Sequence, residues 1–241
     1  MLNDKDECPC SSGQIQYWMP KAVQQDYESG QWDERYPLNP NQDATTFEFK
    51  YQGDGELFVD LSETYAMIEV GVNRVDGTDK AADEEIALSQ NTLYSMFSQV
   101  VVSFNGIDVT TSNNTYHMKS YIEQLLTYGP QSANQMGMSG WAADTASKID
   151  VAGTANDGYV ARKAWTGEKK KACFIGKIHL GLTNADQLIP NGIDIRFRFT
   201  KSKELLLLQK PETNANEYKT VVTKFVLYIR RIKLTPQALV E

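Results

Sequence analysis

The stretch SQVVVSFNGIDVTTSNNTYHMKSYIEQLL, residues 98–126, decides how the rest of the chain is read. It opens on β-branched and aromatic residues, the composition that suits a pleated, half-buried strand. Asn105-Gly106 then supplies the pair that most readily takes positive φ at both central positions of a type I′ hairpin, and IDVTT returns from the turn. Ser112, Asn113, Asn114 and Thr115 offer side-chain oxygens to cap a helix N-terminus. Met118, Tyr121, Ile122, Leu125 and Leu126 follow at i, i+3, i+4, i+7 and i+8, one apolar face of a helix, and Gly129-Pro130 ends it. This spacing predicts a helix whose apolar face packs over one end of a β-sandwich.

Outward from this block, short segments of period-two alternation dominate. TFEFKY sets Phe47, Phe49 and Tyr51 on one face, and YAMIEVGV sets Ile68, Val70 and Val72 together. FIGKIHLGL keeps Phe174, Ile178, Leu180 and Leu182 in phase, and IDIRFRF keeps Ile193, Ile195, Phe197 and Phe199 in phase. With KTVVTKFVLYIRRIKL the strands number about eight, as in a jelly roll. The expected fold is all-β: an eight-stranded jelly-roll sandwich with one short helix between strands and long surface loops. The expected organisation is an N-terminal arm over 1–40, the jelly-roll domain over 41–234, and a tail or linker over 235–241. Residues 73–91 form an acidic connection. Residues 130–172, rich in Gly, Ala and Ser, lack a sustained period, and loops this long are usually functional. Their Trp141, Tyr159 and Trp165 are costly to leave in water, so they are expected to touch the domain or a neighbouring copy as subunit contacts.

At 241 residues, 41% hydrophobic and 23% charged, the composition is that of a soluble globular protein. No apolar run approaches the ~20 residues that span a bilayer. The N-terminus, MLNDKDECPC, is acidic and polar rather than a secretory signal, which favours synthesis on cytosolic ribosomes without export. Three cysteines are too few for a disulfide framework. Cys8 and Cys10, flanking a proline, read as part of a polar arm rather than a metal site. Cys173 follows three lysines but lacks a histidine partner, so it reads as a buried structural thiol. The net charge of −7 hides an asymmetry: residues 1–159 hold 8 Lys/Arg against 24 Asp/Glu, and residues 160–241 hold 16 against 7. Blocks of opposite sign suggest internal neutralisation or complementary contacts between copies. Arg196, Arg198, Arg230, Arg231 and Lys233 lie on strands of the basic half, where contact with nucleic-acid phosphates competes with pairing to the acidic half.

Nothing in the chain reads as an active site, a cofactor site or a metal site. His117 and His179 are its two histidines, far apart in sequence, and a metal-binding jelly roll would need a close histidine pair with further ligands. His117 starts the helix, and His179 is out of phase with Ile178 and Leu180, so it is expected to face solvent or a neighbour. No GxSxG elbow, phosphate-binding glycine loop or zinc-spaced cysteine set occurs. Asp83, Glu84 and Glu85 read as a solvated acidic loop.

Four blocks carry a family resemblance. YESGQWDERYPL (27–38), LYSMFSQVVVSFNGIDVTTSNNTYHMKSYIEQLLTYG (93–129), IPNGIDIRFRFTKSK (189–203) and LYIRRIKLTPQAL (227–239) resemble, in order, segments of the hexon-like, double jelly-roll major capsid proteins of polinton and adintovirus type. The resemblance implies a structural subunit of an icosahedral virion, with two jelly rolls per chain, forming trimers and meeting other capsid proteins. It implies no catalytic residue and no cofactor, synthesis in the host cytoplasm, and assembly there or in the nucleus. The sequence ends about where the family's first jelly roll hands over to its second, so it resembles the N-terminal half, either as a portion of a longer protein or as a chain that keeps one jelly roll. Residues 73–91 and 130–172 are then expected to make subunit contacts or an exposed crown. A non-catalytic binding module, recognising glycans or a receptor, is the rival reading. A jelly-roll enzyme is the third.

Overall fold

In a computed structural model of the chain, residues 27–235 are described, apart from positions 40, 54, 79, 82, 112, 130, 131, 168, 169 and 186. The strands are β1 (Tyr27–Arg35), β2 (Thr46–Tyr51), β3 (Phe58–Arg74), β4 (Ala87–Leu88), β5 (Phe97–Phe104), β6 (Ile107–Asp108), β7 (Ala172–Lys177), β8 (Ile195–Lys201), β9 (Leu208–Gln209) and β10 (Tyr218–Leu234). Between them lie α1 (Thr92–Ser95), α2 (Tyr116–Thr127), α3 (Ala133–Met138), α4 (Asp157–Trp165) and α5 (Glu204–Leu207), with a 3-10 turn at Leu182–Asn184. Eight strands make two four-stranded sheets, ordered β1-β10-β3-β7 and β2-β8-β5-β6, while β4 pairs with β9. All pairings are antiparallel. Successive long strands mostly alternate between the two sheets, which is the wrapping of a jelly roll.

Alternation puts the expected residues inside. Phe47, Phe49 and Tyr51 are at most 2% exposed, and Ile195, Phe197 and Phe199 at most 1%. Register pairs Phe47 with Phe199 and Phe49 with Phe197 across β2 and β8. Phe225 crosses from the other sheet into their midst, its ring centroid 4.7 Å from Phe49, 5.0 Å from Phe199 and 5.2 Å from Phe97. Such pairs add about 0.5–1.5 kcal/mol each beyond the area they bury. At the hairpin, Asn105 and Gly106 have φ of 50° and 85°, the positive pair that a type I′ turn requires.

Several expectations shift. Residues 27–35, expected within an arm, form β1 and pair with β10 from Tyr27 opposite Leu234 to Arg35 opposite Leu227. Residues 1–26 and 236–241, with Cys8 and Cys10, lie outside the described residues. FIGKIHLGL is not one strand. The Thr183 hydroxyl donates to the Ile178 carbonyl at 2.5 Å and accepts from the Leu180 N–H at 3.1 Å, closing a turn that lifts the chain off the sheet after Lys177. Ile178 and Leu180 are nonetheless buried. The single expected helix is joined by four others, two of them inside 130–172. Helix α4 escapes a periodicity search because one of its inward residues is charged: Arg162 is 1% exposed, beside Tyr159 at 0%.

Part of the charge asymmetry is neutralised inside the chain. Ion pairs join the basic half to the acidic half at Arg162–Asp144, Lys163–Glu85, Lys177–Glu63, Lys219–Asp43, Arg231–Asp33 and Lys233–Glu28. Most lie at the surface, where a pair is worth about 0–1 kcal/mol, so they set charge balance more than stability.

Candidate interaction surfaces

Helix α2 sits on the turn that follows β7, and it docks by its polar side. Its buried residues are Tyr116, Ser120 and Gln124, spaced four apart. The Tyr116 hydroxyl accepts from the His179 backbone N–H at 3.3 Å, and Gln124 donates from Nε2 to the Ser139 hydroxyl at 3.1 Å. His179 is half-buried rather than facing solvent: its Nδ1 lies 3.1 Å from Glu123 and its ring stands edge-on to Tyr94 at 4.5 Å. Burial lowers the His179 pKa, and Glu123 opposes that only in part. Burial likewise lowers that of His117. Among the described residues no group of three or more His, Cys, Asp or Glu comes together to hold a metal.

The apolar stripe of α2 therefore points outward, the reverse of the sequence expectation. Met118, Ile122, Leu125 and Leu126 are 60%, 55%, 52% and 82% exposed. Thr115 occupies the N-cap position, but its side chain makes no capping bond. Its backbone carbonyl accepts from the Met118 and Lys119 N–H groups. Asn113 and Asn114 are exposed, and Ser112 lies outside the described residues.

The three candidate contact aromatics separate. Tyr159 is wholly buried in its own chain, with its hydroxyl 3.4 Å from Glu85, so it has no surface to give a neighbour. Trp165 is half-buried, edge-on to Phe174 at 5.4 Å. Trp141, also half-buried, stacks on Tyr121 of α2 at 5.2 Å. Cys173 is exposed, contrary to the buried reading, because Phe174 takes the inward phase of β7. Arg198 lies 3.4 Å from Asp108, and Arg231 and Lys233 pair with Asp33 and Glu28.

The outer faces of the two sheets differ in kind. On β2-β8-β5-β6, register sets Glu48 beside Arg198 and Lys50 beside Arg196, a charged surface. On β1-β10-β3-β7, Trp32, Tyr65, Ile175 and Tyr228 wall a shallow apolar hollow of about 250 Å³, with Trp32 5.5 Å from Tyr65. Tyr65 and Ile175 also help wall a second hollow of about 280 Å³, closed by Tyr128, Met136 and Met138. Between α1 and β7 only glycine fits at position 176, where a Cβ would stand 2.3 Å from the Tyr94 hydroxyl. Sequence reasoning missed this aromatic face because its residues come from four strands. No described helix is long and apolar enough to cross a membrane.

Solved structures share this architecture. PBCV-1 VP54, fitted into a cryo-EM reconstruction of the virophage Sputnik, matches with a TM-score of 0.52 and 9% identity over 90% of this chain and 45% of that one. The PBCV-1 virus capsid matches with a TM-score of 0.50, 10% identity and the same coverage. A cryo-EM structure of the Sputnik virophage matches with a TM-score of 0.56 and 12% identity over 90% of this chain and 50% of that one. The chain thus spans about half the length of the structures it matches. No family model and no curated protein matches the sequence. At such identities the likeness establishes the fold: an eight-stranded jelly roll of the kind built into these viral particles.

Proposed function

We propose that this chain is a structural subunit of a viral capsid, working by packing against copies of itself and other capsid proteins rather than by catalysis. The observation that carries the reading is the jelly roll shared over 90% of the chain with the PBCV-1 and Sputnik particle structures. The order of the four sequence blocks supports a narrower version: one jelly roll of a hexon-like, double jelly-roll capsid protein of polinton or adintovirus type, active as a homotrimer in the virion. Synthesis in the host cytoplasm, with assembly there or in the nucleus, belongs to the same version. Trp141 and Trp165, half-buried on the long 130–172 connection, are the subunit contacts of this proposal. Arg196 is exposed on the charged sheet face. There it supplies a non-specific contact to genomic DNA, which weakens steeply with salt.

Negative-stain microscopy of the purified chain tests the reading. Trimers, larger capsomers or shells are expected. A uniform monomer that instead gives a clear hit on a glycan array would overturn it in favour of a binding module.

A further inference from the structure

The hollow of about 280 Å³ at the foot of α2 combines a polar closed end with apolar walls. Two of its lining residues, Gln124 and Ser139, are each 2% exposed and mark the closed end. The Ser139 hydroxyl donates its one proton to the Met136 carbonyl at 2.8 Å, so it has only lone pairs to offer Gln124. That fixes the carboxamide: Nε2 faces Ser139 at 3.1 Å, and Oε1 is left buried without a hydrogen-bond partner. A buried acceptor stranded in this way is costly, and a donor brought to it recovers the loss. The walls are Tyr65, Tyr128, Met136, Met138 and Ile175. Tyrosine rings and pliable thioethers suit a flat apolar body. Among the described residues Lys177 is the one charged side chain of the lining, and its ammonium is paired with Glu63 at 2.7 Å.

We propose that this hollow is a binding site for a small, uncharged aromatic molecule bearing one N–H or O–H donor, of the indole or phenol class. The ring lies among the tyrosines and thioethers, and the donor meets Gln124 Oε1. Other ligand chemistries fit less well. An anion would find the Lys177 charge already neutralised, and a cation would find no carboxylate in the lining. An aliphatic chain would cover the walls and leave Oε1 stranded. Water would reach Oε1 and leave the apolar walls wet. The volume lies just under the roughly 300–1,000 Å³ of pockets for drug-sized ligands, which fits a molecule of one or two rings. The inference goes beyond the capsid reading and rests on the hollow alone, so it stands whether or not the chain assembles.

Saturation-transfer NMR on the intact purified chain tests it, with indole and benzothiophene as the two probes. They have nearly the same shape, but benzothiophene carries sulfur where indole carries its N–H. Indole is expected to bind and to raise Tm as its concentration rises. Benzothiophene should bind roughly tenfold or more weakly, because a site built around a hydrogen bond rejects the analogue that lacks it. Ile175→Trp, which fills the hollow from its strand wall, should abolish binding of both. Gln124→Met keeps the side-chain length and removes Oε1, so it should bring the two probes to similar affinity. Unchanged near-ultraviolet circular dichroism would show that each variant is folded, and the probe pair on the wild type decides the matter even if Gln124→Met does not fold. Equal binding of both probes to the wild type, or indole binding that survives Ile175→Trp, overturns the site. Indole that binds only where it also binds the filled variant is an adventitious additive only, and that result overturns it as well. So does a wild type that ignores millimolar indole.

Discussion

Replacing Arg162 with methionine should cost this protein about 4 kcal/mol. The guanidinium, 1% exposed, donates to five oxygens: the Leu88 carbonyl at 3.0 Å, Gln90 at 3.1 Å, the Ala142 carbonyl at 3.0 Å, Asp144 at 2.8 Å and Gln209 at 2.9 Å. These partners lie on β4 and the residues just after it, the 141–145 connection and β9, so one side chain ties three separate segments to α4. Methionine fills comparable volume but leaves Asp144, whose side chain is 9% exposed, without its counter-charge, and removes the donor to the Leu88 and Ala142 carbonyls. Breaking a buried pair from one side costs about 3–5 kcal/mol, a large part of a typical 5–15 kcal/mol total. Urea unfolding should show a lower midpoint with an unchanged slope, and Tm should fall by roughly 10 °C for a domain of this size. Adding Asp144→Asn should recover part of the loss, since the stranded charge is then gone. A loss below about 1 kcal/mol for Arg162→Met would refute the five-way junction.

Three further outcomes follow from the same physical picture. Phe225→Ala, which empties the centre of the aromatic cluster, should destabilise by about 4 kcal/mol, and a loss under ~1.5 kcal/mol in urea would mean that the two sheets do not meet through Phe225. Because the folded His179 pKa lies below its ordinary ~6.5, the unfolded chain binds the extra proton first, and stability falls as pH drops from 7 towards 5. His179→Gln should flatten that slope, and parallel melting profiles for variant and wild type would contradict it. Lys80 is 2% exposed, its ammonium held by the Ile86 carbonyl at 2.9 Å, and burial brings its pKa down to about 8. Between that value and the ordinary ~10.4 the unfolded chain holds a proton that the fold has released, so stability rises with pH there by up to about 3 kcal/mol. Lys80→Met should lose that rise relative to wild type, and identical pH profiles would sink the assignment.

Alternating strands were legible because period two is a local property: Phe47-Phe49-Tyr51 and Ile195-Phe197-Phe199 mark an inward face wherever their strands end up. The hairpin at Asn105-Gly106 was legible because positive φ is a matter of two residues. The Cys173 error was avoidable, since Phe174 already claimed the inward phase. Helix α4 was hidden because Arg162, a core residue here, looks like a surface residue in any hydrophobic count. Sheet order was out of reach as well. β1 pairs with a strand some two hundred residues away, and no local pattern encodes such a partner.

For the stretch at 98–126, the sequence by itself determined a strand, a type I′ turn and an amphipathic helix. Periodicity states that the two faces of a helix differ, not which face meets the domain. Tertiary structure decided that, because the surface beneath α2 offers the His179 backbone N–H and the Ser139 hydroxyl. Tyr116 and Gln124 bond to those groups, while an apolar face laid there would take the acceptor from the His179 N–H. The polar side of α2 matches the polar surface beneath it, and Ile122, Leu125 and Leu126 are left facing outward.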